Sequence, residues 1–243
     1  MGAACTVEAL GNWDFDFGYL DLEHFPLDWY GNLERLIMTA RLAGIPSVVR
    51  LTSTDEIEIR KVLEMGAEGV VVPHTRSRQD AEEIVKAAKF HPIGRRGAEA
   101  NVRAAGFGDP EFSWPEYIAR NNTETMIISV DEDFEFTDSL DEILDVPGVD
   151  AVNFGPMDYA LSVGAKIGYS TEDPCVAEAN RRLEEGASKR GIGVMCPIVP
   201  ETMENVDAAI AKGNNMLILR NDMYHLQSAL KRITEECLAP FLK

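Results

Sequence analysis

The sequence predicts an α/β fold, a (β/α)8 TIM barrel whose first strand is missing. Short apolar runs rich in Val and Ile alternate with longer amphipathic stretches, which is the pattern of a parallel sheet with helices outside it. Polar residues end several consecutive runs, as in barrels whose catalytic groups come from the carboxyl ends of different strands. The length of 243 residues suits one such barrel, and we expect a single domain over residues 1–243.

Seven runs have the length and composition of buried strands. They are Phe15–Leu22, Ser47–Leu51, Gly69–Pro73, Met126–Val130, Ala151–Phe154, Gly193–Ile198 and Met216–Leu219. Two arrangements fit them, an open doubly wound sheet and a barrel without its first strand. An open sheet would usually show a glycine-rich phosphate loop after its first strand, and neither GxGxxG nor GxxxxGK[ST] occurs. The barrel is therefore preferred.

Helix signals lie between these runs. Apolar residues from Trp29 to Ala40 recur every three or four positions, and Gly44 ends that stretch. Three further helices are predicted to begin at a capping residue or a proline, namely Asp55, Ser77 and Pro200. The segment from His91 to Thr125 is longer than an ordinary connection, and we predict that it passes over the barrel mouth.

Charge and composition exclude several classes of partner. Lys+Arg 23 against Asp+Glu 41 gives a net charge of −18, which repels nucleic acid and anionic membrane surfaces. No apolar run approaches the roughly 18–20 residues of a membrane-spanning helix. The beginning of the sequence lacks the pattern of a signal peptide, and the four cysteines are scattered. We therefore expect reduced cysteines and a cytoplasmic protein.

Two acidic residues follow consecutive strands and predict a metal site. Asp131 and Asp158 stand at strand ends, and adjacent strands lie about 4.8 Å apart, so their carboxylates can share one hard divalent cation. Acidic residues at strand ends also cap the helices that follow, which is the other interpretation. The first ligand is ambiguous because Glu132 directly follows Asp131. Placing Ser129 and Asp131 in the interior sends two apolar side chains to the helices, so Asp131 is preferred and Glu132 is the alternate.

Basic residues at strand ends complete the candidate site. Arg50 ends an otherwise apolar run, and only an anion or a carbonyl oxygen justifies the desolvation of its guanidinium. His24 follows the first run and is interpreted as a general base, although a histidine there can also be structural. His74 is interpreted as a wall residue rather than a catalyst. His91 and His225 belong to no constellation of candidate site residues and are assigned no role.

The motifs of the chain resemble those of the HpcH/HpaI aldolase family, such as 4-hydroxy-2-oxoheptanedioate aldolase. The resemblance covers nearly the whole chain through FDFGYLDLEH, PSVVR, VLEMGAEGVVVPHTRSRQDAEEIVKAAKF, HPIGRRG, RAAGFG and LDEILDVPGVDAVNFGPMDY. The combination is specific, since it joins an EH after a strand, an Arg closing the next strand, GxRG, and GPxD after a strand. It implies a metal-dependent aldolase of the β/α-barrel type that binds pyruvate.

The resemblance also implies roles for individual residues. His24 matches the catalytic base, Arg50 matches the arginine at the pyruvate carbonyl oxygen, and Glu64 matches an Asp that orients the histidine. Asp158 matches one metal ligand. The backbone amides that receive the pyruvate carboxylate match the turn formed by Gly155, Pro156, Met157 and Asp158. Ser129, beside the first carboxylate, is counted among the substrate-binding residues.

The chain departs from the family pattern in three places. The family's other metal ligand is a Glu in a Q-x-E strand ending, where this chain has Ser129, Val130 and Asp131, and an ungapped alignment puts Glu132 there instead. The orienting Asp is Glu64. The chain begins where the family has completed its first strand, so we predict that residues 1–6 or a neighbouring subunit cover the gap, beside a helix at Thr6–Gly11.

Together these observations predict an aldolase that cleaves a 4-hydroxy-2-oxo acid to pyruvate and an aldehyde with Mg²⁺, Mn²⁺ or Co²⁺. The alternatives are a citrate-lyase-β-like carbon–carbon lyase and a non-catalytic barrel that binds a 2-oxo acid. The expected partners are a small 2-oxo acid and further copies of the chain, in a dimer-based homo-oligomer with a hexamer as one arrangement. The amphipathic C-terminal segment, residues 225–242, is predicted to pack on a partner subunit.

Overall fold

The computed structural model describes residues 2–26, 28–168 and 173–241. All seven predicted runs contain strands. These are β1 Gly18–Asp21, β2 Ser47–Arg50, β3 Gly69–Val72, β4 Met126–Asp131, β5 Ala151–Phe154, β6 Gly193–Pro197 and β7 Met216–Ile218. The α-helices are α1 Ala4–Leu10, α2 Glu34–Leu42, α3 Glu56–Glu64, α4 Arg78–Ala88, α5 Trp114–Glu124, α6 Phe134–Asp138, α7 Leu140–Leu144, α8 Pro156–Ser162, α9 Pro174–Arg190, α10 Met203–Ala211 and α11 Asp222–Ile233. Short π-helical turns at Trp29–Leu33 and Thr234–Leu238, and 3₁₀ turns at Arg103–Ala105 and Ala239–Phe241, complete the elements.

The strands form one parallel sheet in the order β1-β2-β3-β4-β5-β6-β7. This sequential order has no point at which the strand order reverses, which is the defining feature of a doubly wound sheet. The sheet is therefore that of a β/α barrel, with seven strands where a complete barrel has eight. Within the described residues no strand pairs with the outer edge of β1 or of β7.

Local sequence signals position the helices as expected. Asp55 accepts hydrogen bonds from the amides of Ile57 and Glu58 at the start of α3, and Ser77 accepts one from Asp80 at the start of α4. Gly44 follows α2 with a φ of +78°, a left-handed conformation that glycine adopts at no steric cost. The last of the predicted starts shifts slightly, because Thr202 rather than Pro200 caps α10 by accepting from Asn205 N–H.

Two apolar layers lie on the two faces of the sheet. The interior cluster contains Val48, Val71, Ile128, Val130, Ala151 and Met195. Phe17 and Tyr19 near β1 pack against this cluster, and so do Met216 and Ile218 on β7. Both edge strands thus contribute to one interior, so the sheet curls until its edges face each other across the gap. The other face packs against the helices, including α2, α3, α4 and α9.

The beginning of the chain lies beside this gap. Predicted as Thr6–Gly11, the first helix is found at Ala4–Leu10, where it packs on α2. Gly2 and Ala3 line the interior cavity, and they form no strand. Met1 lies outside the described residues. Residues 2–6 therefore cover the gap only in part. They form no strand that replaces the missing one.

The C-terminal helix, α11, has no buried residue, and all twelve of its residues are described. Its exposed apolar residues recur every three or four positions, namely Met223, Leu226, Leu230 and Ile233. Leu242, the last residue of the predicted amphipathic segment, lies outside the described residues. Among the described residues no helix combines the length and hydropathy needed to cross a membrane.

Candidate active site

Four polar side chains meet at the carboxyl edge of the first four strands. They are Glu23 after β1, Arg50 at the end of β2, His74 after β3 and Glu132 after β4. Arg50 Nη2 contacts Glu23 Oε2 and lies 3.1 Å from Glu132 Oε2. His74 Nε2 lies 3.5 Å from Glu23 Oε1. The order of the sheet explains this convergence, because the carboxyl ends of neighbouring parallel strands lie side by side.

The two carboxylates and the guanidinium of this cluster are largely removed from water, whereas the His74 side chain is 43% exposed. The Glu132 side chain is 1% exposed, and those of Arg50 and Glu23 are 13% and 14% exposed. Burial raises the pKa of both carboxyl groups, and the Arg50 guanidinium partly offsets that effect. The ionised form of each carboxyl group is therefore stabilised by the Arg50 charge. A further positive charge in the cluster would stabilise the ionised forms of both Glu23 and Glu132.

His74 belongs to the cluster through its backbone as well as its side chain. Its φ is +53°, an uncommon conformation for a residue other than glycine, and its N–H donates a 2.9 Å hydrogen bond to Glu132 Oε1. On the other side of the ring, Nδ1 lies 2.9 Å from Asp133 Oδ2. Asp133 in turn accepts a 3.0 Å hydrogen bond from Arg76 Nε. The interpretation of His74 as a wall residue therefore understates its contacts.

Three of these residues could hold a metal ion. One ligand atom from each of Glu23, His74 and Glu132 lies within 4.8 Å of the others. Asp158, at the start of α8, is close enough to Glu132 for its charge to raise the pKa of that carboxyl group further, after burial. Two or three carboxylates with an imidazole form a donor set that suits Mg²⁺, Mn²⁺ or Co²⁺.

The side chains of β4 alternate in the sense opposite to the predicted one. Ile128 and Val130 lie in the interior cluster, so Glu132 continues the interior row. Ser129 and Asp131 point to the helix layer, where both are fully buried. The Asp131 carboxylate accepts hydrogen bonds of 3.1 and 3.2 Å from Thr137 Oγ1 on α6. The structure therefore does not bring Asp131 and Ser129 to the mouth, and it places the alternate, Glu132, there instead.

The turn after β5 packs directly against Glu132. A Cβ on Gly155 would lie 2.8 Å from Glu132 Cβ, so only glycine fits at this position. Gly155 N–H donates to the Asp131 carbonyl oxygen at 2.9 Å, and Pro156 has no N–H. The amides of Met157 and Asp158 precede the first intrahelical bond of α8, which Tyr159 N–H makes to Gly155. Those two amides are therefore the donors that this turn can offer to an anion.

His24 lies at the rim of the same mouth. Its side chain is 54% exposed, and Nε2 lies 3.7 Å from Glu23 Oε2. Asp21 holds the backbone here, since its Oδ1 accepts hydrogen bonds from the amides of Glu23 and His24 at 2.9 and 3.2 Å. Glu64 is not part of this arrangement. It ends α3 at the opposite edge of the sheet, before β3 begins, and its Oε1 lies 3.9 Å from Arg60 Nε.

A cavity of about 910 Å³ opens at this mouth and continues into the curl of the sheet. His24, Arg50, Glu132 and the turn from Gly155 to Asp158 all line it. Its volume lies within the range of small-molecule sites. The predicted site residues His24, Arg50, Asp158 and the Gly155 turn thus share one cavity, whereas Asp131, Ser129 and Glu64 lie outside its lining.

Comparison with known proteins gives this arrangement its context. The family model described as HpcH/HpaI aldolase/citrate lyase matches residues 4–229. The chain belongs to this family. The 2-dehydro-3,6-dideoxy-6-sulfogluconate aldolase of Pseudomonas putida is 30% identical over 227 residues, which cover 93% of this chain and 85% of that protein. The 5-keto-4-deoxy-D-glucarate aldolase of Escherichia coli O6:H1 is 27% identical, with coverages of 93% and 88%.

A solved structure of the HpcH/HpaI family has the same fold. The aldolase/citrate lyase family protein from Burkholderia cenocepacia J2315 superposes with a TM-score of 0.87 at 26% identity. The match covers 97% of this chain and 91% of that one. As a member of the HpcH/HpaI family whose named relatives are aldolases, the chain is an enzyme of the carbon–carbon lyase class.

The sequence contained signals for the residues that were missed. Glu23 precedes His24 by one position and follows Tyr19 and Asp21 at intervals of two, which is the spacing of one strand face. A guanidinium buried at the next strand end requires a carboxylate partner, and Glu23 is the candidate on the adjacent strand. No sequence signal indicated the left-handed backbone of His74, because it depends on the distant carboxylate of Glu132.

Proposed function

We infer that the protein is a divalent-metal-dependent (class II) aldolase that cleaves a 4-hydroxy-2-oxo acid to pyruvate and an aldehyde. The observation that supports this proposal is the cluster of Glu23, Arg50, His74 and Glu132 at the mouth of a barrel of this family. The two relatives described above are named as aldolases of a sulfogluconate and of a glucarate derivative, which are both keto acids by name. We take the whole chain, residues 1–243, as one domain.

The residues at the mouth fit a divalent cation. Glu132 and Asp158 would hold it, and Glu23 and His74 are further donors at the same place. When bound, such a cation polarises the carbonyl group of the 2-oxo acid as a Lewis acid. Glu132 replaces Asp131, the ligand first predicted from the sequence, as the metal ligand in this proposal, because Glu132 continues the interior row of β4 whereas Asp131 contacts Thr137 in the helix layer.

Arg50 would stabilise the charge that develops on the substrate's carbonyl oxygen. Its guanidinium is fixed before substrate arrives by the carboxylates of Glu23 and Glu132 on either side. A donor that is already oriented and shielded from water stabilises a developing anion without reorganising. The N–H groups of Met157 and Asp158 would receive the substrate carboxylate at the start of α8.

His24 would act as the general base. In the cleavage direction its imidazole accepts the proton of the 4-hydroxyl group, the C3–C4 bond breaks, and C4 leaves as the aldehyde. The electron pair of that bond remains on the three-carbon fragment, which becomes the enolate of pyruvate and is then protonated at C3. The exposed rim position of His24 allows its proton to exchange with solvent. Glu64 has no part in this proposal within one chain, since it lies at the opposite edge of the sheet.

The exposed stripe of α11 supports assembly. Met223, Leu226, Leu230 and Ile233 present one apolar face, and none of these side chains is buried within the chain. We propose that this face packs on a second copy of the chain, giving a dimer-based homo-oligomer. The cytoplasmic location stays a prediction from the sequence.

Pyruvate release tests the proposal. A panel of 4-hydroxy-2-oxo acids is incubated with the purified protein after chelation, with and without added Mg²⁺, Mn²⁺ or Co²⁺, and pyruvate is detected with lactate dehydrogenase. We expect metal-dependent release. Metal and 2-oxo acid binding without turnover would instead favour a non-catalytic barrel, and cleavage restricted to acyl-CoA or citrate-like substrates would favour the citrate-lyase-β-like alternative.

Two adjacent carboxylates offer a matched test of the metal site. Glu132→Gln should abolish most metal binding in a calorimetric titration, because it removes the shared ligand. Asp131→Asn should retain it, because that carboxylate contacts Thr137 in the helix layer. The reverse result would return the first ligand to Asp131.

A further inference from the structure

The end of β7 carries an arginine in an uncommon backbone conformation. Arg220 has a φ of +60°, in the left-handed region that side-chain-bearing residues rarely adopt. Such a conformation costs energy and persists only where the surrounding structure holds it, which is frequent at binding sites. Glycine would adopt it without strain. Arg220 therefore places a long cationic side chain at a position where glycine would be less strained.

Glu201 and Tyr224 are among the neighbours that orient the Arg220 side chain. Its Nε lies 3.6 Å from Glu201 Oε1, on the connection between β6 and α10. Its Cζ lies 4.3 Å from the centre of the Tyr224 ring, in the first turn of α11. The side chain is 15% exposed, so the guanidinium is largely removed from water. A carboxylate on one side and an aromatic ring against its plane hold the guanidinium in one orientation.

Arg220 lines the same cavity as the candidate active site. Among the described residues that line this cavity, Arg50 and Arg220 are the two arginines, and no lysine is present. Arg50 is engaged with Glu23 and Glu132 at the other side of the mouth. Since β5 and β7 are separated by β6, the ends of these strands lie two spacings of about 4.8 Å apart, or about 10 Å. The backbone at Arg220 and the turn after β5 are thus about 10 Å apart, and both line the same cavity.

The Arg220 guanidinium lies on the side of the cavity towards which the aldehyde half of the substrate would extend. Under the proposed function, the 2-oxo acid end is held by Arg50 and by the turn from Gly155 to Asp158, so the rest of the carbon chain extends away from them. The mouth carries the carboxylates of Glu23, Glu132 and Asp158. These charges repel an anionic substrate, and a substrate with a second negative group would need a positive group at its far end.

We propose that Arg220 binds a second anionic group at the far end of the substrate, so that the preferred substrates are 4-hydroxy-2-oxo acids with a terminal carboxylate, sulfonate or phosphate. This inference depends on the proposed aldolase function. The planar fork of a guanidinium suits all three of these groups, because each offers paired oxygen acceptors. Arg220 is then a residue that determines specificity for the aldehyde half, and Glu201 and Tyr224 position it.

The test compares substrates of equal chain length that differ only in the terminal group. One 4-hydroxy-2-oxo acid ends in a neutral hydroxymethyl group, and the others end in carboxylate, sulfonate or phosphate. The value of kcat/KM is measured for each from pyruvate release by the full chain with a divalent metal. We expect the native enzyme to prefer at least one of the anionic substrates, and the three arms identify which anion it takes.

Arg220→Gly and Arg220→Gln should each lower the ratio of kcat/KM for anionic over neutral substrate by about 10–100-fold, as expected when a hydrogen-bonded charge pair is lost. Glycine fits the φ of +60°, so this variant should fold. Arg78→Gln is the control, because Arg78 lies at the same edge of the sheet, outside the cavity lining, and pairs with Glu82 at 2.8 Å. It should leave the ratio unchanged.

The outcomes separate this inference from the proposed function. If the native enzyme releases no pyruvate from any substrate, the aldolase proposal fails. If it cleaves neutral and anionic substrates with equal kcat/KM, the role of Arg220 is refuted while the aldolase proposal stands. An equal loss on all substrates in both Arg220 variants would also refute it, because a structural role affects every substrate alike.

Discussion

The middle of the sheet and its β7 end differ in how completely one chain buries them. Every residue of β3 and β5 is buried, and α4, which packs on β4 between them, contributes five buried residues. In contrast, β7 has no fully buried residue among its three, all of which are described, and α11 has none among its twelve. The core of the fold thus lies over β2 to β5, and it thins towards the C-terminus.

The same division separates two kinds of functional residue. The cluster of Arg50, His74 and Glu132 is attached to the well-buried strands, where packing can fix charged groups within hydrogen-bonding distance. Arg220 and the apolar stripe of α11 belong to the less buried end. We infer that the residues for the chemical step belong to the well-buried strands. Substrate selectivity and assembly then depend on the less buried β7 end, where a second copy of the chain can pack.

The largest expected effect comes from the rim of the buried half. His24→Ala should lower kcat for aldol cleavage by about 10²–10⁴-fold, because a general base is removed. Its thermal unfolding should stay close to that of the native protein, since the side chain is 54% exposed. The measurement is pyruvate release together with a melting curve. His91→Ala, an exposed histidine in the segment after α4, is the control and should keep full activity.

Unchanged turnover in His24→Ala would contradict its role as general base and indicate a structural role. His74 would then be the candidate base. The two histidines differ in their surroundings, because His74 contacts Glu132 and Asp133 as well as Glu23, whereas His24 lies near Glu23 at the exposed rim.

Arg50→Lys should reduce kcat by about 10²-fold, on the scale of losing one oriented donor at a developing oxyanion. The positive charge is kept, but Nη2 of Arg50 already contacts both Glu23 and Glu132, and a compact ammonium has no further N–H groups in the plane of a guanidinium to offer the substrate oxygen. Steady-state kinetics should therefore show the loss in kcat more than in KM. A change confined to KM would mean that Arg50 binds the ground state and does not stabilise the enolate. Arg76→Lys is the control, because Arg76 pairs with Asp133 rather than with Glu23 or Glu132. Its kcat should fall less than that of Arg50→Lys.

The strands and their order could be predicted from the sequence because their signals are local. Runs such as residues 69–73 are apolar over the length of a strand, rich in valine and followed by capped helices, so their length, composition and flanking signals identify them. The closure of the sheet is different. Whether the edges of β1 and β7 are covered depends on segments whose sequence carries no strand signal, and Ala4–Leu10 forms a helix there.

The candidate site could be predicted in part for the same reason. His24, Arg50 and Asp158 follow from their positions at strand ends. The choice between Asp131 and Glu132 did not, because the polarity of a side chain does not show which face of a strand it occupies when both faces are buried. The helix layer offers Asp131 the Thr137 hydroxyl, with Arg182 nearby, and both come from elements distant in the sequence.

The less buried half predicts a change in assembly. Leu230→Glu places a charge in the middle of the exposed stripe of α11, where Leu230 is 53% exposed in one chain. If the stripe packs on a second copy, the variant should show a smaller mass by size-exclusion chromatography with light scattering, because burying an unpaired charge is costly. Lys231→Glu, on the adjacent helix face with a 73% exposed side chain, is the control. A native chain that is monomeric, with cooperative unfolding, would contradict the proposed assembly.

The smallest expected effect concerns Asp131, whose carboxyl group is fully buried in the helix layer. Burial raises the pKa of Asp131 to about 8, and Thr137 and Arg182 only partly oppose this. The folded protein therefore holds a proton on Asp131 that the unfolded chain releases above a pH of about 4. Stability from this group is fully present below that pH and falls as the pH rises to about 8, because the unfolded state then binds fewer protons. Asp131→Asn removes this dependence. Its melting temperature should match the native value near pH 4 and exceed it by at least about 2–4 °C at pH 8, the shift that corresponds to about 1 kcal/mol in a chain of this size. A difference that does not grow between these two pH values would mean that Asp131 is ionised in the folded state, and that the helix layer carries a charge where the structure indicates a neutral acid.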